Sequence, residues 1–483
     1  MTANPERSSE PTMNTSPTET NQSTSAMVIV TIETAALGDR SYVLIDGGEA
    51  AVIDPQRDID RVEAVLAARG ARLTHVFETH VHNDYITGGF DLARRTGAIY
   101  VIAAADDVAF DRTGAVAGDT FQVGATTITA IATPGHTPTH LSYLASTAGE
   151  PVAVFTGGSM LFGTVGRTDL TGDDATDGLT RAQFHSVRRL AHDLPADVAV
   201  HPTHGFGSFC SSSASSGSDE STIGQERRTN VAVTTADEDA FVEQLLGGLA
   251  AHPRYYAHMA PTNRAGPTPI DLSPPAEVDP VEVRRRIHAG EWVVDLRHRT
   301  AFAAGHLTGT INLEATASFA TYLGWTLPWG TPVTLVGDTA DEVAQAQRQM
   351  TRIGIDRPAG AADRGPKRWA AGGELRSYPT ASFADLATAI TAAGEEGDVV
   401  VLDVRRDDEW AEGHMPTAVH VPLHDLADRV GDVPDGAVWV HCASGYRAAL
   451  AASLLDRAGR TVIAVDDDWA HATDHPALAI TTA

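Results

Sequence analysis

Cysteine is nearly absent from this chain: only Cys210 and Cys442 occur, in different parts of the sequence. A disulfide framework is thereby excluded, and each thiol has to be judged as a reactive group. Basic charge is also short. Lys and Arg number 35 against 63 Asp and Glu, giving a formal charge of −28. Nucleic-acid backbones require a basic footprint, so no nucleic-acid partner is expected. No apolar run is long enough to span a bilayer, so no membrane partner is expected either. Residues 1–26 are rich in Ser, Thr, Asn, Pro and Glu and contain no hydrophobic stretch. They read as a disordered tail and not a secretory signal, and a cytoplasmic location is the expectation that follows.

What remains is the composition of a soluble multidomain protein: 483 residues, 42% hydrophobic and 20% charged. Order is expected from Met27. Short strands are expected at Tyr42 to Ile45 and Ala50 to Ile53, with Asp46-Gly47-Gly48 as a hairpin turn between them. Further strands are expected at Leu73 to Phe77, Ile99 to Ile102, Thr127 to Ala132, Leu141 to Leu144, Val152 to Phe155 and Val198 to Val200. A helix is expected around Phe184, Val187 and Leu190. The Ser/Gly-rich run Ser211 to Ser218 reads as a loop, and the Pro-rich run Pro261 to Pro280 as a linker.

Beyond the linker the chain repeats itself. Val293-Val294-Asp295-Leu296-Arg297 precedes Gly305-His306, and Val401-Leu402-Asp403-Val404-Arg405 precedes Gly413-His414. The Asp-to-His spacing is the same in both, so two copies of one small α/β unit are expected. The resulting division is a tail (1–26), a first domain (27–262), a linker (263–278), a first repeat copy (279–375) and a second (378–483).

The first domain carries Thr79-His80-Val81-His82-Asn83-Asp84-Tyr85 directly after a strand. Alternating imidazoles and a carboxylate in such a loop can converge on one metal ion, and imidazole suits zinc, iron and copper. Pro134-Gly135-His136-Thr137 and His201-Pro202-Thr203-His204 follow other strands, as histidines lining a metal cleft would.

These motifs, with Gly166-Arg167-Thr168-Asp169 and Ser221 to Arg227, resemble the metallo-β-lactamase superfamily, specifically its persulfide dioxygenase and glyoxalase II-like branch. The resemblance covers about residues 27–260 and implies an αββα sandwich. It also implies a mononuclear iron held by two histidines, carried over to His80 and His136, and one aspartate. Arg167 and Thr137 match positions that contact a glutathione persulfide. Two positions depart from the pattern. Tyr85 replaces the histidine of a second metal site, which weakens a two-metal hydrolase reading. Gly158 replaces the aspartate ligand, leaving His82, Asp84 and His204 as candidates to complete the set, with zinc as the alternative metal.

In the second repeat copy, Cys442-Ala443-Ser444-Gly445-Tyr446-Arg447 joins a strand to a helix. Backbone N–H groups, the helix N-terminus and Arg447 would stabilise a thiolate there. The loop resembles that of the rhodanese sulfurtransferases, which implies a persulfide on Cys442 cradled by Ala443, Ser444, Gly445 and Tyr446. The first copy has Gly337 and Glu342 where Cys442 and Arg447 stand, so it is expected to be inactive.

The expected fold class is therefore an α/β chain: an αββα metallo-β-lactamase sandwich followed by two small α/β rhodanese-like domains. The expected function is oxidation of a persulfide of glutathione or another small thiol to sulfite, coupled to sulfur transfer through Cys442 between persulfide and thiosulfate pools. A glyoxalase II-type thioesterase and a non-catalytic first domain are the alternatives. Small thiols, sulfite and thiosulfate are the expected partners, and a homo-oligomer is compatible with the sequence.

Overall fold

The computed structural model describes residues 27–212, 217–394 and 399–482. The expected tail at 1–26 and the middle of the Ser/Gly-rich loop, 213–216, lie outside the described residues.

Short, half- or fully apolar strands pair into two six-stranded sheets. The first sheet follows chain order: β1 (Val28–Thr34), β2 (Asp39–Asp46), β3 (Glu49–Ile53), β4 (Arg72–Phe77), β5 (Ile99–Ala103) and β6 (Thr113–Ala115). The second holds β7 (Thr120–Val123), β8 (Thr126–Ala132), β9 (Leu141–Thr147), β10 (Glu150–Gly157), β11 (Ala199–Pro202) and β12 (Ser221–Thr222), again as sequence neighbours. Tyr42, Leu44, Phe77, Tyr143 and Phe155 fill the core between the sheets. Helices Asp60–Arg69 and Gly89–Thr96 cover the outer face of the first sheet, and Asp173–Asp193 covers that of the second. Each layer buries one apolar face against the next, which makes the unit an αββα sandwich. The C-terminal ends of β3, β4, β8, β10 and β11 and the start of β2 lead into the residues described below.

The linker expectation needs correction at its start. Helix Tyr256–Ala265 runs through the boundary expected at 262–263, with Pro261 inside it. A proline there removes one intrahelical donor. The helix persists because Met259, Ala260 and Asn263 on its inner face are buried against the first domain.

The two repeat copies are parallel sheets of matching order. The first runs β14 (Ile311–Asn312), β13 (Trp292–Asp295), β15 (Val333–Val336), β16 (Gly360–Ala362). The second runs β19 (Val419–His420), β18 (Val400–Asp403), β20 (Ala437–His441), β21 (Thr461–Val465), with β17 (Thr380–Ala381) added at its edge. The repeated Asp and Arg form the same buried brace in each. Arg297 pairs with Asp295 at 2.7 Å and donates to the Gly305 carbonyl; Arg405 pairs with Asp403 at 2.6 Å and donates to the Gly413 carbonyl. One continuous apolar core, from Trp292 to Ala464, joins the copies. Among the described residues, no helix is long and apolar enough to cross a membrane.

The first copy also packs on the sandwich through Leu37, Tyr85, Ile86, Tyr255, Met259, Ala320 and Ile353. Gly324 lies in helix Phe319–Thr326, where a Cβ would sit 2.2 Å from the Tyr255 ring. Gly to Ala in an open helix stabilises by about 1 kcal/mol. Here overpacking opposes that gain with a cost of about 1–3 kcal/mol. Gly324→Ala is therefore expected to lower the melting temperature, measured by calorimetry on the full chain.

Candidate functional site

The histidine cluster is built at the strand ends. His80 follows β4, His136 follows β8 and His204 follows β11, and all three are buried. One ring nitrogen from each lies within 4.8 Å of the others. The opposite ring edge is held in every case. His80 Nδ1 meets the Thr79 hydroxyl at 2.9 Å, His136 Nδ1 donates to the Arg167 carbonyl at 2.7 Å, and His204 Nδ1 donates to Asp39 at 2.9 Å, with Asp84 at 3.1 Å. Fixing Nδ1 in this way is how proteins orient imidazoles whose Nε2 binds metal. His204 Nε2 lies 3.4 Å from His80 Nε2, and the buried His136 Nε2 has no hydrogen-bond partner. An orphaned buried nitrogen facing two others fits a metal ion. Burial holds the His80 ring well below its usual range and His136 down to about 3, so both are neutral donors. Burial also opposes charge on His204, but Asp84 and Asp39 together outweigh it and hold that ring well above the usual range.

Gly158, at the end of β10, has a specific steric basis. A Cβ there would lie 2.1 Å from His136 Cδ2. The ring stands where the aspartate of the resembled enzymes would begin, so the carboxylate and this ring position are mutually exclusive. Gln183 locks the arrangement: its Oε1 accepts from the His136 amide at 2.9 Å, and its Nε2 donates to the Ser159 carbonyl at 2.6 Å.

His82 and Asp84, the other candidates to complete the set, stand outside the trio of His80, His136 and His204. His82 Nε2 faces Asp54 at 3.2 Å, Glu78 at 3.3 Å and the Tyr85 hydroxyl at 3.0 Å, although His82 also groups with Asp84 and His204. Asp84 sits behind His204. Arg167 contributes its carbonyl to His136, but its guanidinium is committed to Asp169, at 2.7 Å through both nitrogens, and to the Phe209 and Ala250 carbonyls. Thr137 is buried beside His136 with an unpartnered hydroxyl. Cys210 is fully buried, and burial pushes its thiol well above the usual range, which fits an inert residue.

Sequence reasoning missed Asp39, Asp54, His140 and Gln183. Asp39 and Asp54 stand at strand ends like the three histidines, and His140, whose Nε2 accepts from the Gly158 amide at 3.0 Å, is four residues from His136. Polar residues at the ends of buried strands were the available signal. Gln183 carried none, because it lies within an amphipathic helix 47 residues from His136.

In the second copy, Cys442 ends at a loop whose Ser444 is exposed and whose Gly445 has φ +87. Cys442 Sγ accepts from the Ala448 amide at 3.3 Å, at the N-terminus of helix Tyr446–Arg457. Arg447 is bound bidentately by Glu409 at 2.5 and 2.6 Å, and Tyr446 donates to the Glu314 carbonyl of the first copy. In the first copy the equivalent loop is sealed from within. Glu342 Oε2 accepts from the Asp338 and Thr339 amides at 2.7 and 3.2 Å. Its own carboxylate fills the nest that would otherwise receive an anion.

Comparison with known proteins bears on both sites. A model of the metallo-beta-lactamase superfamily matches residues 35–204. The chain belongs to the metallo-beta-lactamase superfamily. A rhodanese-like domain model matches residues 386–472, so the superfamily domain is followed by a C-terminal rhodanese-like domain. The persulfide dioxygenase ETHE1 of Homo sapiens is 29% identical over 247 residues, 51% of this chain and 82% of that protein. The hydroxyacylglutathione hydrolase of Acidiphilium cryptum is 42% identical over 106 residues, 22% of this chain and 43% of that enzyme's length. A crystal structure of a metallo-beta-lactamase from Staphylococcus aureus superposes with a TM-score of 0.63 at 28% identity, covering 70% of this chain and 99% of that one.

Two outcomes test these sites. Gly158→Ala is expected to drive the His136 ring out of the cluster, at a cost of about 1–3 kcal/mol seen as a lower melting temperature. Gly158→Asp should do the same without raising metal content. At the second site, burial opposes ionisation of Glu409, but Arg447 outweighs it and holds the carboxyl at about 2, below the ordinary 4.5. The stability from this pair is present above pH 4.5 and is lost as pH falls toward 2. Thermal melts across that range should show a loss in the native protein that is smaller in Glu409→Gln.

Proposed function

We propose that the first domain oxidises the terminal sulfur of a small thiol persulfide, glutathione persulfide being the first candidate, and that Cys442 moves sulfane sulfur in the same pathway. In the balanced reaction, persulfide, dioxygen and water yield the free thiol, sulfite and two protons. The observation that carries this reading is the pairing, in one chain, of three converging buried imidazoles with a cysteine loop of rhodanese type. Likeness to a persulfide dioxygenase over most of that enzyme's length supports it.

His80, His136 and His204 would hold the metal, which we propose to be iron. A redox metal there would supply the one-electron chemistry that dioxygen needs in order to react with sulfur. The remaining roles belong to the chain. Thr79, the Arg167 carbonyl and the Asp39–Asp84 pair fix the three rings before anything binds. The buried Thr137 hydroxyl is a free donor beside His136 and would orient the incoming sulfur. Burial of the whole cluster excludes bulk water from a reactive persulfide.

At the second site, the Cys442 thiolate would attack a sulfane sulfur, form a cysteine persulfide and release a thiol or sulfite; the reverse step returns the sulfur. The Ala448 amide and the helix N-terminus would stabilise the anionic sulfur. Carrying both sites on one chain raises the effective concentration of each for the other's product.

A second reading, a metal-dependent thioesterase, is favoured by the 42% identity with a hydroxyacylglutathione hydrolase. Metal analysis followed by oxygen-electrode assays separates the two. Stoichiometric iron with oxygen uptake on glutathione persulfide supports the dioxygenase. Zinc with oxygen-independent hydrolysis of an acylglutathione supports the thioesterase, and no metal at all makes the first domain a non-catalytic partner of the sulfurtransferase. Cys442→Ala should abolish cyanide-dependent thiocyanate formation; persistence of that activity would disprove the carrier role.

A further inference from the structure

The first rhodanese-like copy is sealed at its loop by Glu342, yet the other end of the same helix reaches the segments that support the His80 loop. Helix Ala340–Arg352 ends with carbonyls that have no intrahelical donor, as every helix does. Two of these last-turn carbonyls accept from the sandwich, the Thr351 carbonyl in addition to the Gly354 amide at 3.2 Å. Arg57 donates to the Thr351 carbonyl at 3.2 Å, and the Ile86 amide donates to the Arg352 carbonyl at 2.8 Å. The Arg352 guanidinium in turn binds the buried Asp58 carboxylate at 2.6 Å. Arg57 also pairs with Asp356 of the first copy.

These contacts grip two segments of the sandwich, and both carry the histidine loop. Segment 54–58 holds Asp54, which accepts from the Thr79 amide and hydroxyl at 2.7 Å each and so sets His80. Segment 85–88 closes that loop onto it: the Gly88 amide donates to the Pro55 carbonyl at 2.9 Å, and the Tyr85 hydroxyl to the Asp54 carbonyl at 3.2 Å. The helix end thus ties both segments of the support together from outside. Asp58 is buried and meets Arg61 at 2.8 Å as well as Arg352, so loss of one arginine leaves the carboxylate paired and the fold intact.

We propose that the inactive copy serves as a brace for the histidine centre, with Arg352 as its positioning residue. This rests on the metal reading above for its consequence, but not for its geometry. The test uses the full chain with Arg352→Ala and Arg352→Lys. Zinc(II) affinity is read by chelator competition, amide exchange is read at Ile86, and thiocyanate formation at Cys442 serves as the control.

Arg352→Ala is expected to weaken zinc retention about tenfold, as loss of groups supporting metal ligands does. It should speed exchange at Ile86, leave Cys442 turnover unchanged and be partly rescued by lysine. Unchanged Ile86 exchange would overturn the proposal. So would a parallel fall in melting temperature and Cys442 activity without lysine rescue, since that marks general loosening. If the native chain binds no metal, the metal reading fails alone, because Ile86 exchange in the metal-free protein still decides the brace.

Discussion

Asp54 is the buried charge on which both sheets depend. Its carboxylate accepts from the Thr79 amide and hydroxyl, which belong to the first sheet's histidine loop, and from the Thr203 hydroxyl, which belongs to the second's. Its carbonyl accepts from Ser41 and Tyr85. Burial works against its ionisation, yet His82, Thr203 and the Thr79 amide outweigh that and hold it below the ordinary carboxylate range. A buried charge removed from such a network would leave several donors unsatisfied at once, each costing about 1–3 kcal/mol. The histidine loops are therefore positioned by a satisfied polar network.

The two repeat copies show how one scaffold is turned to opposite ends. Both keep the buried Asp–Arg brace at the end of the corresponding strands β13 and β18, because an unpaired arginine or aspartate there would be a buried charge without a partner. They differ at the loop. Cys442 presents sulfur to a backbone nest, while Glu342 turns its own carboxylate into the equivalent nest and occupies it. The first copy keeps its packing with Tyr255 and Met259 on one side and with the second copy on the other.

Much of this was legible from residues alone. The strands leading to His80, His136 and His204 were readable because each is a short apolar run ending in a polar motif, and the repeat because Asp, Arg, Gly and His recur at fixed spacing. Boundaries were less so. Helix Tyr256–Ala265 carries a proline that reads as a break, and only burial of its inner face keeps it helical. The role of Asn263 was hidden for the same reason. It donates to the His82 and Tyr85 carbonyls from what the sequence presents as a linker.

The sequence by itself determined the motifs of the superfamily domain, the tandem repeat and the short loop that carries Cys442. Those are properties of residue type and local spacing, which no folding step alters. Tertiary structure decided which histidines meet, that Arg167 is spent on Asp169, and that the His136 ring fills the space above Gly158. Each of these joins residues tens of positions apart, where strand ends from two sheets converge and excluded volume and buried hydrogen bonding leave room for one arrangement.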